Sequence, residues 1–398
     1  MVTFVQNLVE KLIARQNVIS GIAYKDGRFC VYDGSLLKGA WGPVTPWQMA
    51  RNLVYKHAFL YDYVESDIEQ VEGELWDFVF HLANQNIQAI ENSLPSTRLN
   101  FVLQWLFERS QKASSSRQTR NIQSHYDLGN AFYAKFLDPD MHYTCAVFDP
   151  DHQISLAEAQ QKKLALVHQR CAIEAGHKVL DIGCGWGGFM NYAKTQIGAQ
   201  CHGITISAEQ AEYITQKRDM GNLVHLEGYL EHSHNHRHTY DRIVSIGMFE
   251  HVGKRQFRGY FDAVARMLNP GGKALIHTMI RPEKGFTTRW IHDYIFPGGY
   301  IPAVSEVAQA IEESPVRLIK LYTLPGRHYA RTLQLWRENL QQNYRPDSGD
   351  YDHRLSKIFN LYLCLSRLAF AMPEIGFQIG HFVLEHKGSG AGLKSVSA

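Results

Sequence analysis

Short apolar runs and amphipathic stretches take turns along the second half of this chain. Runs at 178–182, 200–206, 224–227, 241–246 and 273–279 are strand-length and rich in Val, Ile and Leu. Nearly continuous apolar strands of this kind belong to a sheet that is covered on both faces. Segments of helical spacing lie between most of them, for example 189–197 and 256–268, the latter closed by Asn269-Pro270-Gly271-Gly272. Ser155-Leu156-Ala157-Glu158 is a capping box that opens a helix running to about residue 173. Strands alternating with helices predict a largely parallel α/β sheet wound on both faces. Two further strand candidates follow at 316–323 and 377–386.

The first hundred residues have a different texture. Residues 1–15 put Phe4, Val5, Leu8, Val9, Leu12 and Ile13 on one helical face, with Gln6, Asn7, Glu10 and Lys11 opposite. Such a face packs on a core in the plain reading and lies on a membrane surface in the sharper one. Residues 19–33 hold strand-like pieces, with Lys25-Asp26-Gly27-Arg28 as a hairpin turn. Segments 47–63 and 71–91 read as helices, and a second apolar block covers 99–107. The expected organisation is a small α/β accessory domain over 1–105, a basic serine-rich linker over 106–120, and a second domain over 121–398. The linker region carries Arg109, Lys112, Arg117 and Arg120, which could touch anionic headgroups or simply be solvated.

Composition adds bounds rather than identity. A length of 398 residues favours two domains, and 45% hydrophobic with 20% charged residues is ordinary for a globular protein. No run of about 18 uncharged apolar residues predicts a membrane-spanning helix. Residues 1–15 lack the basic segment and unbroken apolar core of a signal peptide. The six cysteines (Cys30, Cys145, Cys171, Cys184, Cys201 and Cys364) form no CxxC pair. That argues against a zinc site or a disulfide framework and for a reducing, cytoplasmic compartment. A formal net charge of +2 is uninformative about partners, and no nucleic acid is expected.

Candidate chemistry concentrates where the 178–182 strand ends. Four glycines (Gly183, Gly185, Gly187 and Gly188) follow within six positions, and then a helix begins. A glycine-rich strand-to-helix turn lets a ligand approach the backbone closely. A lone GxG would be explained as well by a tight turn with no ligand. The full string D-I-G-C-G-W-G-G (181–188) resembles motif I of S-adenosylmethionine-dependent methyltransferases. In that motif the first glycines make room for the methionine half of the cofactor, and Asp181 would face its ammonium.

Further strings follow in one order: HYDLGN (125–130), YTCA (143–146), GITISAEQ (203–210), GMFEHVG (247–253), LIHTM (275–279) and an aromatic loop near Ile295-Phe296-Pro297-Gly298-Gly299-Tyr300. Together they resemble the cyclopropane-fatty-acyl-phospholipid synthase family, relatives of the mycolic-acid cyclopropane synthases, from about residue 121 to the end. The preceding domain resembles, more weakly, the N-terminal domain of the bacterial phospholipid enzymes. Mycolate enzymes lack that domain, so the resemblance implies a phospholipid substrate. It implies a class I Rossmann-like methyltransferase fold: a seven-stranded mixed sheet with helices on both faces. It also implies a homodimer bound peripherally to the inner face of a membrane.

The implied reaction transfers a methylene from S-adenosylmethionine to the cis double bond of an unsaturated acyl chain. An isolated alkene is a poor nucleophile, so the sulfonium methyl must be held in line with it and water excluded. A methylated carbocation results, and closing the cyclopropane requires a base beside the new methyl. A side-chain base there risks alkylation; the resembled family instead holds a bicarbonate ion. By resemblance Glu250, His277 and Tyr329 bind it, with backbone groups around Cys145 and Met279. A carboxylate beside an anion needs a bridging proton, which would raise the pKa of one partner. The cofactor would be held by Tyr143, Thr144, Asp181, Gly183, Gly185, Gly187, Thr205, Gln210 and Tyr229.

Plainer explanations stand beside these roles. Ser207 with Gln210 forms a capping box of the S-x-x-Q type. Glu250 could cap a helix, His277 could be a satisfied core histidine, and Tyr329 could anchor a helix start. Met279 departs from the isoleucine of the best-known members, and Leu230-Glu231 departs from their basic-acidic pair. In 282–302, Phe286, Trp290, Tyr294, Phe296 and Tyr300 among Arg281, Lys284 and Arg289 could line an acyl channel, with the helix at 355–371 as its other wall, or simply pack. His232, His234, His236 and His238 alternate through a polar segment that reads as a variable surface loop; no metal is expected. Methylation of the same alkene to a 10-methyl or methylene-branched chain is a rival product. A non-catalytic lipid-binding protein on this fold is the reading from a different class.

Overall fold

The computed structural model describes residues 22–25, 28–33, 36–44, 58–65, 69–77, 79–80, 129–149, 154–285, 287–343 and 353–387. The amphipathic face at 1–15, the 99–107 block, the basic linker and residues 125–128 lie outside them. The chain divides into two compact units, 1–112 with 344–368, and 113–343 with 369–398. Residues 344–368, which the sequence reading puts with the second domain, therefore cluster with the first.

In the first unit, β1 (Ile22–Lys25), β2 (Arg28–Asp33), β3 (Leu36–Gly42) and β4 (Glu69–Gly73) form an antiparallel sheet in that order, with helix α1 (Ala58–Glu65) between β3 and β4 in sequence. Lys25 pairs with Arg28, so Asp26 and Gly27 close a two-residue hairpin. The helix expected over 71–91 does not begin at 71. Residues 69–73 instead pair with β3 (Trp41 with Gln70, Ala40 with Glu72), and helical turns start only at Leu75. The helix expected over 47–63 is α1, and 45–57 lie outside the described residues. Within this unit Arg354 forks onto Glu65 with bonds of 3.1 and 2.6 Å, and Arg367 lies 3.8 Å over the Trp76 ring.

The second unit holds α2 (Leu156–Cys171), β5 (Lys178–Ile182), α3 (Gly188–Tyr192), β6 (Gln200–Thr205), α4 (Ala208–Arg218), β7 (Val224–Leu226) and α5 (Tyr229–Asn235). It continues through β8 (Tyr240–Ile246), α6 (Phe257–Met267), β9 (Leu268–Ile280), α7 (Val304–Glu312), β10 (Val316–Leu324), α8 (Arg327–Asn343) and β11 (Gln378–His386). The sheet order is β10-β11-β9-β8-β5-β6-β7. Strands β5 to β9 run parallel, while β11 is antiparallel to both β9 and β10. This is the expected seven-stranded mixed sheet with helices on both faces.

Successive residues feed two cores, one on each face. Leu180, Ile182, Ile243, Ala274, Ile276, Phe382 and Leu384 pack with α6 and α7. Val179, Val244, Leu275 and Val383 pack with α2 and α3 on the other side. Burial on both sides is why these strands read as unbroken apolar runs.

Chain order reverses at β5, which has β6 on one side and β8 on the other. A crevice opens outside the carboxyl ends of such a pair, where open α/β sheets bind ligands. One further expectation is corrected: residues 229–235 are helical, and His232 is fully buried rather than part of a surface loop. Its ring bridges Glu227 and Tyr240 at 2.7 and 2.8 Å, a tertiary arrangement that a polar run does not announce.

Candidate active site

A cavity of about 540 Å³ opens at this crevice, floored by the glycine turn after β5. Gly183, Gly185 and Gly187 have φ of 77°, 54° and 76°, in the left-handed region that side chains avoid. At Gly183 a Cβ would also lie 2.6 Å from Met248 Cγ. The turn is tied to the motif before it, since Trp186 Nε1 donates to Asn130 Oδ1 at 2.6 Å. Arg218 of α4 donates to the Trp186 carbonyl at 2.6 Å and pairs with Asp140 at 3.1 Å.

Asp181, next to last in β5, lies at the cavity wall, 2% exposed, with Oδ1 lacking a hydrogen-bond partner. Burial pushes its carboxyl up to about 7, against the pull of Lys163. Lys163 is a cavity-lining neighbour that sequence reasoning missed. It lies on α2, is 1% exposed, and donates to Thr144 Oγ1 at 3.0 Å. Burial lowers its ammonium to about 8, while Asp138, Cys145 and Asp181 draw it back up. One turn earlier, Gln160 donates to the Thr144 carbonyl at 2.9 Å, so α2 fixes the Tyr143-Thr144 segment from below. Tyr143 and Thr144 both line the cavity, and the Tyr143 ring packs edge-on to Tyr133.

His142, also missed, lines the same wall with Nδ1 2.8 Å from Asp138 Oδ2 and Nε2 buried without a partner. Burial alone would raise the Asp138 carboxyl, but its hydrogen bonds and charge contact with His142 hold it below the ordinary value.

The opposite wall begins with Thr205, whose hydroxyl donates to Gln210 Oε1 at 2.8 Å. Ser207 caps α4 by accepting from the Gln210 N–H, but the reciprocal half of a capping box is absent because the Gln210 side chain is turned to Thr205. Its carbonyl is thus used, and its NH2 is what it still offers a ligand. Tyr229, Leu226 and Leu230 continue this wall. Leu226 is 56% exposed, a large apolar side chain standing in the cavity mouth.

Of the remaining candidate residues, His277 and Met279 lie near the carboxyl end of β9, and Glu250 is bonded to it. Glu250 is buried, accepts the Met279 N–H on Oε1 at 2.7 Å, and has Oε2 without a partner. Burial raises its pKa against the lowering effects of that N–H, its own N–H and the nearby Thr278 side chain. The next residue, His251, lines the cavity, and burial holds its ring down at about 4. The Glu250 carbonyl accepts the Tyr300 N–H at 2.9 Å, and Phe296 packs 5.6 Å from His251. The aromatic loop is therefore fastened to the Glu250 turn.

His277 stands opposite His381 in the β9–β11 pairing, Nδ1 to Nε2 at 2.8 Å, and Arg170 Nη1 lies 2.9 Å from His381 Nδ1. A guanidinium only donates. His381 Nδ1 must accept, so its hydrogen sits on Nε2 and is donated to His277 Nδ1. That leaves the His277 hydrogen on Nε2. Burial holds His381 near 3 and His277 well below its ordinary value, so both rings are neutral at pH 7.

Tyr329 lies in the first turn of α8 with its ring 4.7 Å from Phe370 and 5.9 Å from Trp336. The Cys145–Ala146 turn docks on the same helix, because the Ala146 N–H donates to Thr332 Oγ1 at 3.1 Å. Burial pushes the Cys145 thiol up, away from the thiolate a nucleophile needs. The structure thus assembles two groups, Glu250 with Met279 and Cys145 with the Tyr329 helix, while His277 is held from β11.

Residues 113–378 match the family described as mycolic acid cyclopropane synthetase. The cyclopropane-fatty-acyl-phospholipid synthase of Escherichia coli K12 is 37% identical over 255 residues, 64% of this chain and 65% of that protein. The match therefore spans just under two thirds of that relative's length. Cyclopropane mycolic acid synthase 3 of Mycobacterium tuberculosis is 37% identical over 242 residues, 56% of this chain and 82% of that protein. A solved mycolic acid cyclopropane synthase complexed with SAH and CTAB superposes with a TM-score of 0.57 at 30% identity, covering 67% of this chain and 98% of that one. The second unit thus has the class I Rossmann-like methyltransferase fold.

Proposed function

The chain belongs to the mycolic acid cyclopropane synthetase family, and on that footing we propose that it converts unsaturated phospholipid acyl chains to cyclopropane chains with S-adenosylmethionine. The observation that carries this reading is Glu250. It is a buried carboxyl with one oxygen fixed by the Met279 N–H and the other unpartnered, next in sequence to a residue of the cavity wall. A buried polar atom without a partner asks for a ligand.

The cavity fits the cofactor. S-adenosylmethionine, when bound, supplies an electrophilic sulfonium methyl. Asp181 offers its unpartnered oxygen to an ammonium, and the left-handed glycines leave room for the chain that carries it. Thr205 and Gln210 offer a hydroxyl and an amide NH2 toward ribose oxygens, and Leu226 with Tyr229 suits an adenine face.

In the reaction the S–CH3 bond breaks as the alkene carbon bonds the methyl. The adjacent cation then closes on that carbon as it loses one proton, giving a cyclopropane, S-adenosylhomocysteine and H⁺. Bicarbonate, when bound, would supply a base with no side chain to alkylate. Glu250, whose pKa burial raises, would share a bridging proton with that anion, and His277 through Nε2–H and Tyr329 through its hydroxyl would donate to it. Donors of this kind bind an anion without placing a second base beside the cation.

The phospholipid reading is supported by the first unit, because a mycolate synthase structure that is 98% matched still covers only 67% of this chain. We read residues 1–105 as the part that meets the lipid surface, with the enzyme acting as a homodimer at the cytoplasmic face of a bilayer.

Mass spectrometry of phospholipids incubated with the protein and S-adenosylmethionine, with and without bicarbonate, tests the proposal. The expected product gains one CH2 per acyl chain, resists mild hydrogenation, and forms faster with bicarbonate. The same gain in a chain that still hydrogenates would replace the cyclopropane by a methylene branch. No gain with any unsaturated lipid, while cofactor still binds, would overturn the reading.

A further inference from the structure

A cluster of histidines lies at the far end of the sheet, outside the reaction described above. His202 is on β6, His225 on the edge strand β7, and His232 and His236 are four residues apart at α5. The His232 and His236 rings stack at 4.0 Å, His225 lies 5.4 and 5.9 Å from them, and His202 is 5.8 Å from His225. Glu227, immediately after β7, reaches His232 Nδ1 at 2.7 Å.

An ordinary core histidine would account for His232, which is fully buried between Glu227 and the Tyr240 hydroxyl. It does not account for the others. His225 Nε2 and His202 Nδ1 are buried with no hydrogen-bond partner. Neutral imidazole nitrogens with unused lone pairs, beside a carboxylate, are what a transition ion binds.

We infer that Glu227, His232 and His236, completed by His225, form a binding site for a divalent transition-metal ion of the zinc type. Ligand atoms of the first three already lie within 4.8 Å of one another. Donors about 2.0–2.1 Å from a tetrahedral ion sit closer together than that. Rotation of His236, part-exposed at the end of α5, closes the difference and leaves an entry path. His232 and His236 share a face by their four-residue helical spacing. With Nδ1 turned to the ion, His232 keeps Nε2–H on the Tyr240 oxygen, the outer partner that ligating histidines usually have. Three nitrogens and one oxygen, without thiolate, favour zinc, nickel or copper over calcium or magnesium.

The site has a consequence for the cavity. Leu226, Glu227, Gly228 and Tyr229 line it, so an ion there clamps the segment joining β7 to α5 behind the cavity wall. The inference stands whether or not the proposed reaction is correct.

The test uses tag-free, chelator-treated full-length protein titrated with zinc by calorimetry and with cobalt by visible absorption. One equivalent is expected, with the intense cobalt bands of a four-coordinate site and a zinc-dependent rise in Tm. His236→Ala should weaken zinc at least about tenfold and abolish the bands. Without metal it should bind S-adenosylhomocysteine as the metal-free native protein does, which reports that the variant is folded. His225→Asn, on a different element, should weaken zinc as well. His234→Ala, exposed on the other side of α5, should change nothing. Failure to take up either metal, or uptake that depends on His234 and not on His236, would overturn the site.

Discussion

Replacing Asp181 by Asn should move two properties in opposite directions. The carboxyl is 2% exposed and pushed from its ordinary 3.8 up to about 7 by burial, with only Lys163 pulling the other way. Because the folded-state pKa of this acid is raised, its ionisation opposes folding. The penalty is absent below the ordinary pKa, grows as pH rises toward about 7, and is complete above it. At about 1.4 kcal/mol for each tenfold displacement of the protonation equilibrium, holding it charged costs on the order of 4 kcal/mol. The attraction to Lys163 is already counted in that figure, so what Asn gives back is the burial of its own NH2 without a charge partner, at about 1–3 kcal/mol, leaving a net gain of about 1–3 kcal/mol in the ligand-free protein. A domain of this size should then melt a few degrees higher at pH 8.

Cofactor affinity should fall. The ammonium of S-adenosylhomocysteine would lose its charged partner in a buried site, a loss of about 2–5 kcal/mol or roughly 30-fold to several thousand-fold in Kd. In the native protein, affinity should also weaken by up to tenfold for each pH unit below about 7, as Asp181 takes up a proton. Calorimetric titration of both proteins across neutral pH, with thermal melts alongside, reads every term. A ligand-free variant that melts lower would refute the burial argument. Unchanged affinity would refute the ammonium assignment.

Three further perturbations separate the parts of the site. Glu250→Gln should lower turnover about 100-fold or more while S-adenosylhomocysteine affinity stays within a few-fold, because Glu250 is not part of the cavity lining; retained turnover would remove it from the reaction. His381→Phe frees the tautomer of His277 and should reduce kcat about 10- to 100-fold at unchanged cofactor affinity, whereas His381→Gln, which retains an N–H donor, should recover part of it; equal loss in both variants would mean that only packing was disturbed. Gly203→Ala drives a methyl into Met190 Sδ and to 2.8 Å from Cys184 Sγ, and should lower stability by about 1–3 kcal/mol in a denaturant melt; a neutral effect would show that this layer can relax.

The parallel strands were legible because each is covered on both faces. Val179 and Leu180, or Ile243 and Val244, face different cores and so read as unbroken apolar runs. β4 was not legible: Glu69-Gln70-Val71-Glu72-Gly73 has a single large apolar residue, and it is a strand because β3 offers it a pairing edge. The spacing of His232 and His236 is helical as well as alternating, and only Glu227 and Tyr240, brought in by the fold, decide that the segment turns inward. The glycine string and Asp181 marked in sequence the place where the cavity opens, since conformational freedom and charge are written in residue type. Lys163 was overlooked because a lysine in an amphipathic helix normally faces water, and its burial depends on Thr144 and Asp181 from other segments.

That lysine belongs to a larger pattern. Gln160, Lys163, Val167 and Arg170 lie three, four and three residues apart, one stripe along α2. The stripe faces the side of the sheet reached by Val179 and Asp181 on β5, Leu275 and His277 on β9, and His381 and Val383 on β11. At one end Gln160 and Lys163 hold Thr144 and attract Asp181; at the other Arg170 sets the hydrogen of His381 and through it that of His277. Ile246, in register with His277, lines the cavity on that same face. A helix covering the middle of a sheet would ordinarily present only apolar residues there. Here Gln160 Nε2 and Lys163 meet Thr144 and Arg170 meets His381, and a buried donor left unpaired would cost about 1–3 kcal/mol. The Asp181 end and the His277 end are therefore positioned by one helix, and a shift of α2 that disturbed one would disturb the other.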